Sequence, residues 1–194
     1  MSDKVKAFFE YNPLDKIYES ASKAVIKKYS VILPEFFTEI WEKNGFSSYK
    51  DGFFWIVNPD EYDDLISQFI HNEGNLHVVM RTAFGGLIYL DEKAKHNQGK
   101  DNKLYNYLCP IYLQVTKLTS DLSAVMNGWL TTEEIFSPLM FYNIYSIGRK
   151  VLPAPEQNEC FGFLPAIALG GDLQPENIKL FKIREHLSFL SQLR

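Results

Sequence analysis

Cysteine is scarce in this chain. Cys109 and Cys160 are the only two among 194 residues, far below the density of a small secreted scaffold held by disulfides, so both thiols are expected to be reduced and buried. No apolar run approaches the roughly 20 residues that span a bilayer. The opening MSDKVK leads into polar sequence instead of the apolar core of a signal peptide, which makes the cytoplasm the expected compartment and a membrane an unexpected partner. A basic surplus is missing too. With a formal net charge of -4 and no stripe of Lys and Arg to neutralise phosphates, direct nucleic-acid binding is not expected, whereas a basic protein partner fits. Histidine is thin: His71, His77, His96 and His186 are the whole set. None stands at helical i, i+4 spacing from another, so no metal site is expected. The glycine pairs lack the context of a phosphate loop, and Asp172 and Glu176 already put negative charge after Gly170-Gly171, where an anion would sit. No cofactor is expected.

What is present is core material. Hydrophobic residues make up 46% of the chain and aromatics 15%, enough for one substantial core, either one domain or two halves fused across it. Asn12-Pro13 with Leu14, Ile17, Tyr18, Ala21 and Val25 predicts a helix over 12–29. Pro34 opens a second, with Phe37, Ile40 and Trp41 inward and Asn44-Gly45 as its stop. Its outer stripe holds Glu35, Glu39 and Glu42. Asp51-Gly52 turns the chain into a buried strand over 53–57. Asn58-Pro59-Asp60-Glu61 then caps a helix whose inner face is Tyr62, Leu65, Ile66 and Phe69, and whose outer face is Asp60, Asp64, Ser67 and Gln68.

Residues 76–91 read as two strands broken at Gly85-Gly86, 92–103 as a loop, and 107–115 as a further strand. Thr131-Thr132-Glu133-Glu134 predicts a capping box and a helix to about 150, strained by Pro138. The run ECFGFLPAIALGG (159–171) predicts a strand over 160–169, and Pro175 a last helix. In that helix Leu180, Ile183, Leu187 and Leu190 make one stripe and Ile178, Phe181 and Phe189 a second, so it must dock into the body.

Reactive chemistry is thin. Cys160 has no base near it and reads as a small core residue. Glu185 and His186 are adjacent but do not share a helical face. Arg81, inside a strand, pairs with an acid such as Glu61 or Asp91, or else recognises an anionic substrate. The acidic outer faces are either solvated or a docking surface.

Three motifs, LPEFFTEIWEKNGF (33–46), DGFFWIVNPDEY (51–62) and RTAFG (81–85), resemble the GAD-like region. The stretch from about Ile135 to the end, with its 159–171 run and REHLSFLSQL (184–193), resembles the C-terminal region of a family of bacterial type VI secretion immunity proteins, long known only as a domain of unknown function. One departure is Gly86, where an acid is expected after the Phe-Gly pair. The resemblance implies a GAD-like region over 1–110 and an immunity-family region over 111–194, sharing one core. The fold it implies is α+β, with helices on a mixed or antiparallel sheet, a single compact unit like the SUKH immunity fold. It implies a non-enzymatic protein whose partner is a cognate toxin, a type VI DNase effector, neutralised by occluding or distorting its active site. Asp60, Asp64 and Gln68, with Glu35, Glu39 and Glu42 as a competing patch, are the expected contacts. The alternatives are a small-molecule enzyme built on Arg81 and nearby carboxylates, or a housekeeping interaction module.

Overall fold

A computed structural model describes residues 3–70, 75–94 and 103–194. Seven strands run in chain order through one antiparallel sheet: β1 (Leu14–Glu19), β2 (Phe46–Tyr49), β3 (Phe54–Ile56), β4 (Leu76–Thr82), β5 (Leu87–Asp91), β6 (Leu104–Cys109) and β7 (Gln114–Thr119). β8 (Glu159–Phe163) and β9 (Ile178–Lys182) form a separate antiparallel ribbon. The helices are α1 (Lys6–Tyr11), α2 (Lys23–Tyr29), α3 (Glu35–Asn44), α4 (Asp63–Phe69), the single turn α5 (Leu122–Ala124), α6 (Glu133–Met140), α7 (Tyr142–Gly148) and α8 (Ile183–Ser191).

The period-2 alternation of the strands divides the apolar residues between two faces. Phe54, Ile56, Met80, Ile88 and Tyr107 lie in one cluster with Phe37, Ile40 and Trp41 of α3 and with Phe136 and Tyr145 of α6 and α7. Trp55, Val78, Leu87 and Leu108 lie in the other, with Leu65, Ile66 and Phe69 of α4 and Ile183, Leu187 and Leu190 of α8. Both clusters draw on both halves of the chain. Polar contacts cross in the same way: Asn127 accepts from the Phe8 amide at 3.2 Å, Asn12 donates to the Leu130 carbonyl at 3.1 Å, and the Phe161 amide donates to the Ala83 carbonyl at 2.7 Å.

Several expected elements differ. The helix over 12–29 survives only as α2, capped by Ser22, whose hydroxyl accepts from the Val25 amide. Before it, 14–19 is the edge strand β1. Asp15 there accepts from the amides of Asp51 and Gly52, and Leu14 and Ile17 stay exposed. Their i, i+3 spacing therefore marked no buried face. The strand over 107–115 is two strands, because Pro110 lacks a donor for the ladder and the chain turns through Leu113 at φ 54°. The helix from 131 breaks at Phe141, left-handed at φ 65° and ψ 31°, whose ring packs against Phe84 and Tyr112. Thr132 is its N-cap but makes no side-chain cap, so the box does not form. The strand over 160–169 stops at Phe163. What read as one final helix is β9 followed by α8, since Ile178 to Lys182 pair with β8. The 92–103 loop falls for the most part outside the described residues, as do His71 and His96.

Gly86 has a direct physical reason. A Cβ there would sit 2.4 Å from the Tyr107 hydroxyl, so an acid at this position would need a different neighbour.

Candidate partner-binding surfaces

The acidic outer face of α4 exists, and it is partly engaged. Asn58 accepts from the Asp60 amide and Pro59 fills the first helical position, which sets Asp60 at the exposed start. Asp60 accepts from Lys28 and, at 2.7 Å, from the Tyr29 hydroxyl. Burial alone would raise its pKa, but these hydrogen bonds outweigh it and hold the carboxyl below its ordinary value. Asp64 pairs with Arg184 of α8. Gln68 accepts from Ser191, also on α8, at 3.2 Å. All three residues face solvent, Asp64 and Gln68 beside α8 and Asp60 beside α2.

Glu35 and Glu42 are exposed and Glu39 is half-buried. No ion pair joins any of these three glutamates to a described cation. Because α3 packs in the first cluster and α4 in the second, the two carboxylate sets belong to helices on opposite faces of the sheet. One flat partner surface does not reach both.

Arg81 is sealed at 0% exposure. Its guanidinium carbon lies 3.8 Å from the centroid of the Trp55 ring, and it donates to the carbonyls of Gln157 at 3.0 Å and Glu156 at 3.3 Å. The expected ion pair with Glu61 or Asp91 does not form. Asp91 is in register with Leu76, at the far end of β4 from Arg81, and backbone carbonyls of the 156–157 segment take the role an acid would have played. The free space beside Arg81 is about 10 Å³, room for a single water at most. A substrate anion has no access.

Cys160 is fully buried, and burial pushes its thiol up to about 12, so it stays protonated and unreactive. His186 is 7% exposed and stacks on Phe181 with ring centroids 4.3 Å apart. Burial pulls its pKa down to about 4, which keeps the imidazole neutral. Gly162 leaves the space it occupies, since a Cβ there would come within 2.3 Å of Nε2. Among the described residues no three or more His, Cys, Asp or Glu groups are placed to hold a metal ion, and no helix is long and apolar enough to cross a membrane.

A groove beside His186 was not foreseen from the sequence. The expected strand over 160–169 left no room for it. Instead the chain leaves β8 at Leu164 and folds into a short turn, and Leu164 and Leu169 line an open groove of about 420 Å³ with Phe189 of α8. A signal was available in Pro165, which interrupts a strand ladder.

Two stretches of the chain match known families. Residues 4–98 match the GAD-like domain, and residues 127–194 match the C-terminal domain of the T6SS immunity protein Tdi1. Among solved structures, the crystal structure of Atu4351 from Agrobacterium tumefaciens superposes with a TM-score of 0.76 over 96% of this chain and 88% of that one, at 17% identity. At that identity the likeness establishes a common fold. No curated protein matches.

Proposed function

The chain belongs to a family of type VI secretion immunity proteins, and from that premise we propose that the toxin it neutralises is a DNase effector, bound in the producer's cytoplasm and blocked by occlusion or distortion of its active site. The observation that carries this reading is the joint match, GAD-like domain followed by the Tdi1 C-terminal domain, on one chain whose two apolar clusters each draw on both stretches.

The protein acts by binding, without catalysis. Arg81 is occupied by carbonyls and an indole ring, Cys160 is a buried protonated thiol, and His186 is a neutral ring stacked on Phe181. None is paired as nucleophile and base. The contact surface includes the α4 face of Asp60, Asp64 and Gln68, in preference to Glu35, Glu39 and Glu42. A nuclease surface that holds phosphates is basic, and carboxylates on a short, packed helix steer its approach. Lys28 and Arg184 offset part of that charge, so the face tunes encounter rate and orientation more than affinity.

The test is co-expression with a DNase toxin candidate, sought first among the genes beside this one. Growth rescue, a stable complex and loss of DNA cleavage in vitro support the proposal. A toxin that binds but does not cut DNA removes the DNase assignment.

A further inference from the structure

The groove beside α8 combines three features seldom found together on a solvated surface. Its walls are large apolar side chains left in water: Leu164 is 58% exposed, Leu169 60% and Phe189 44%. One buried polar side chain lines it without a partner, because the His186 imidazole makes no hydrogen bond to any described residue. Neither ring nitrogen is among the fully buried unpartnered atoms, so both reach water at the groove, and a neutral ring of this kind offers one donor and one acceptor there. The groove also lies within residues 127–194, the stretch matched by the Tdi1 C-terminal domain.

The charge around it is mixed, with an excess of carboxylates. α8 separates the groove from the α4 face: Arg184 and Ser191 reach towards α4, while His186 and Phe189 line the groove. The exposed Glu185 lines the groove itself, with Lys182, and across the ridge stand Asp60, Asp63 and Asp64, against Lys28 and Arg184. Lys182 at the rim is already paired with Glu159 at 3.1 Å. An apolar centre bordered by polar groups is the anatomy of a protein interface hot spot.

We propose that this groove is the apolar centre of the toxin-binding surface. It takes one aromatic or branched aliphatic side chain of the toxin, and His186 hydrogen-bonds the backbone of the segment that presents it. This rests on the immunity reading above. A volume of about 420 Å³ suits a side-chain anchor but not a helix laid lengthwise, which needs several anchors in a row. A second copy of the chain fits less well, because its own acidic α4 face would approach this one, and a stable self-contact needs at least ~1,000 Å² of buried surface. The net acidic flank suits a basic nuclease.

The experiment measures dissociation of the complex with catalytically inactive toxin for wild type, Leu169→Glu, Phe189→Glu and the pair Asp60→Lys with Asp64→Lys, alongside thermal melting and the solution mass of the free proteins. Both groove variants alter exposed positions, so melting should stay near wild type while dissociation accelerates by roughly 30-fold or more, the size of a hot-spot loss. Should either charge destabilise the fold, Leu169→Ala and Phe189→Ala introduce no charge and give the same reading at smaller amplitude. Folded groove variants that dissociate at the wild-type rate overturn the proposal. A wild-type dimer that Leu169→Glu splits also overturns it, making the occupant a second copy. If wild type itself neither binds nor protects, the immunity reading fails; if wild type binds and the groove variants bind equally, only the groove assignment fails.

Discussion

His186 should make the protein lose stability between pH 6.5 and pH 4, and the size of the loss follows from its burial. The folded ring has its pKa pulled down to about 4 by burial, against about 6.5 when the chain is unfolded. Between those values the unfolded state binds the extra proton, so stability is fully present above pH 6.5 and falls as pH falls, until the folded ring also protonates near 4. A gap of about 2.5 units corresponds to roughly 3 kcal/mol in total, of which about 2 kcal/mol is lost by pH 5. Carboxylates held below their ordinary range, such as Asp60 and Glu159, lose their stabilisation in the acid region as well, so the test is a difference. Urea unfolding of wild type and His186→Gln at pH 7.5, 6 and 5 should show wild type falling by about 2 kcal/mol more than the variant. The variant's own packing cost is the same at each pH and drops out. Parallel pH dependences, or an NMR titration of the ring near 6.5, would refute the claim that it is buried and neutral.

Leu187 is 0% exposed in the cluster shared by α4, α8 and the sheet, so Leu187→Ala should cost about 2–5 kcal/mol in chemical denaturation. If Leu187→Ala unfolds at the wild-type denaturant concentration, α8 is not docked. Gly86→Ala should destabilise by roughly 1–3 kcal/mol, because its Cβ would meet the Tyr107 hydroxyl at 2.4 Å. Combining it with Tyr107→Phe should recover little of that loss, because two ring carbons at 2.6 and 2.8 Å remain; a double variant as stable as wild type would show that the hydroxyl alone sets the clash. Asp60→Lys with Asp64→Lys should slow toxin association at low salt and flatten its salt dependence, since exposed charges steer encounter and are screened over about 8 Å at physiological ionic strength. A wild-type association rate at low salt would show that the α4 face is merely solvated.

The elements legible in the sequence were those whose local signals agree with their tertiary setting. Asn58, Pro59 and Asp60 mark a short 3-10 turn over Pro59–Glu61 that Asn58 caps, and the inward Tyr62, Leu65, Ile66 and Phe69 mark the apolar stripe of α4, which starts only at Asp63 and has no side-chain cap of its own. β1 failed for the opposite reason. Leu14, Ile17 and Tyr18 have helical spacing, yet pairing with β2 decides their state, and such pairing leaves no periodic trace when both Leu14 and Ile17 face water. In 178–182 Ile178, Leu180 and Phe181 satisfy a helical stripe, but the hydrogen bonds to β8 prevail. The acidic faces were readable as exposed carboxylates, although their partners Lys28 and Arg184 lie 32 and 120 residues away. The groove was hidden because the expected strand over 160–169 ends at Phe163, and the turn that follows places Leu164 and Leu169 at the surface.

The most direct measurement is protection: co-express the chain with its candidate DNase toxin, follow growth, and isolate whatever complex forms. If the protein neutralises that toxin, cells survive, toxin co-purifies with this protein in a fixed ratio, and the purified complex no longer cuts DNA. Growth arrest despite abundant, folded protein, with no complex recovered, would contradict neutralisation.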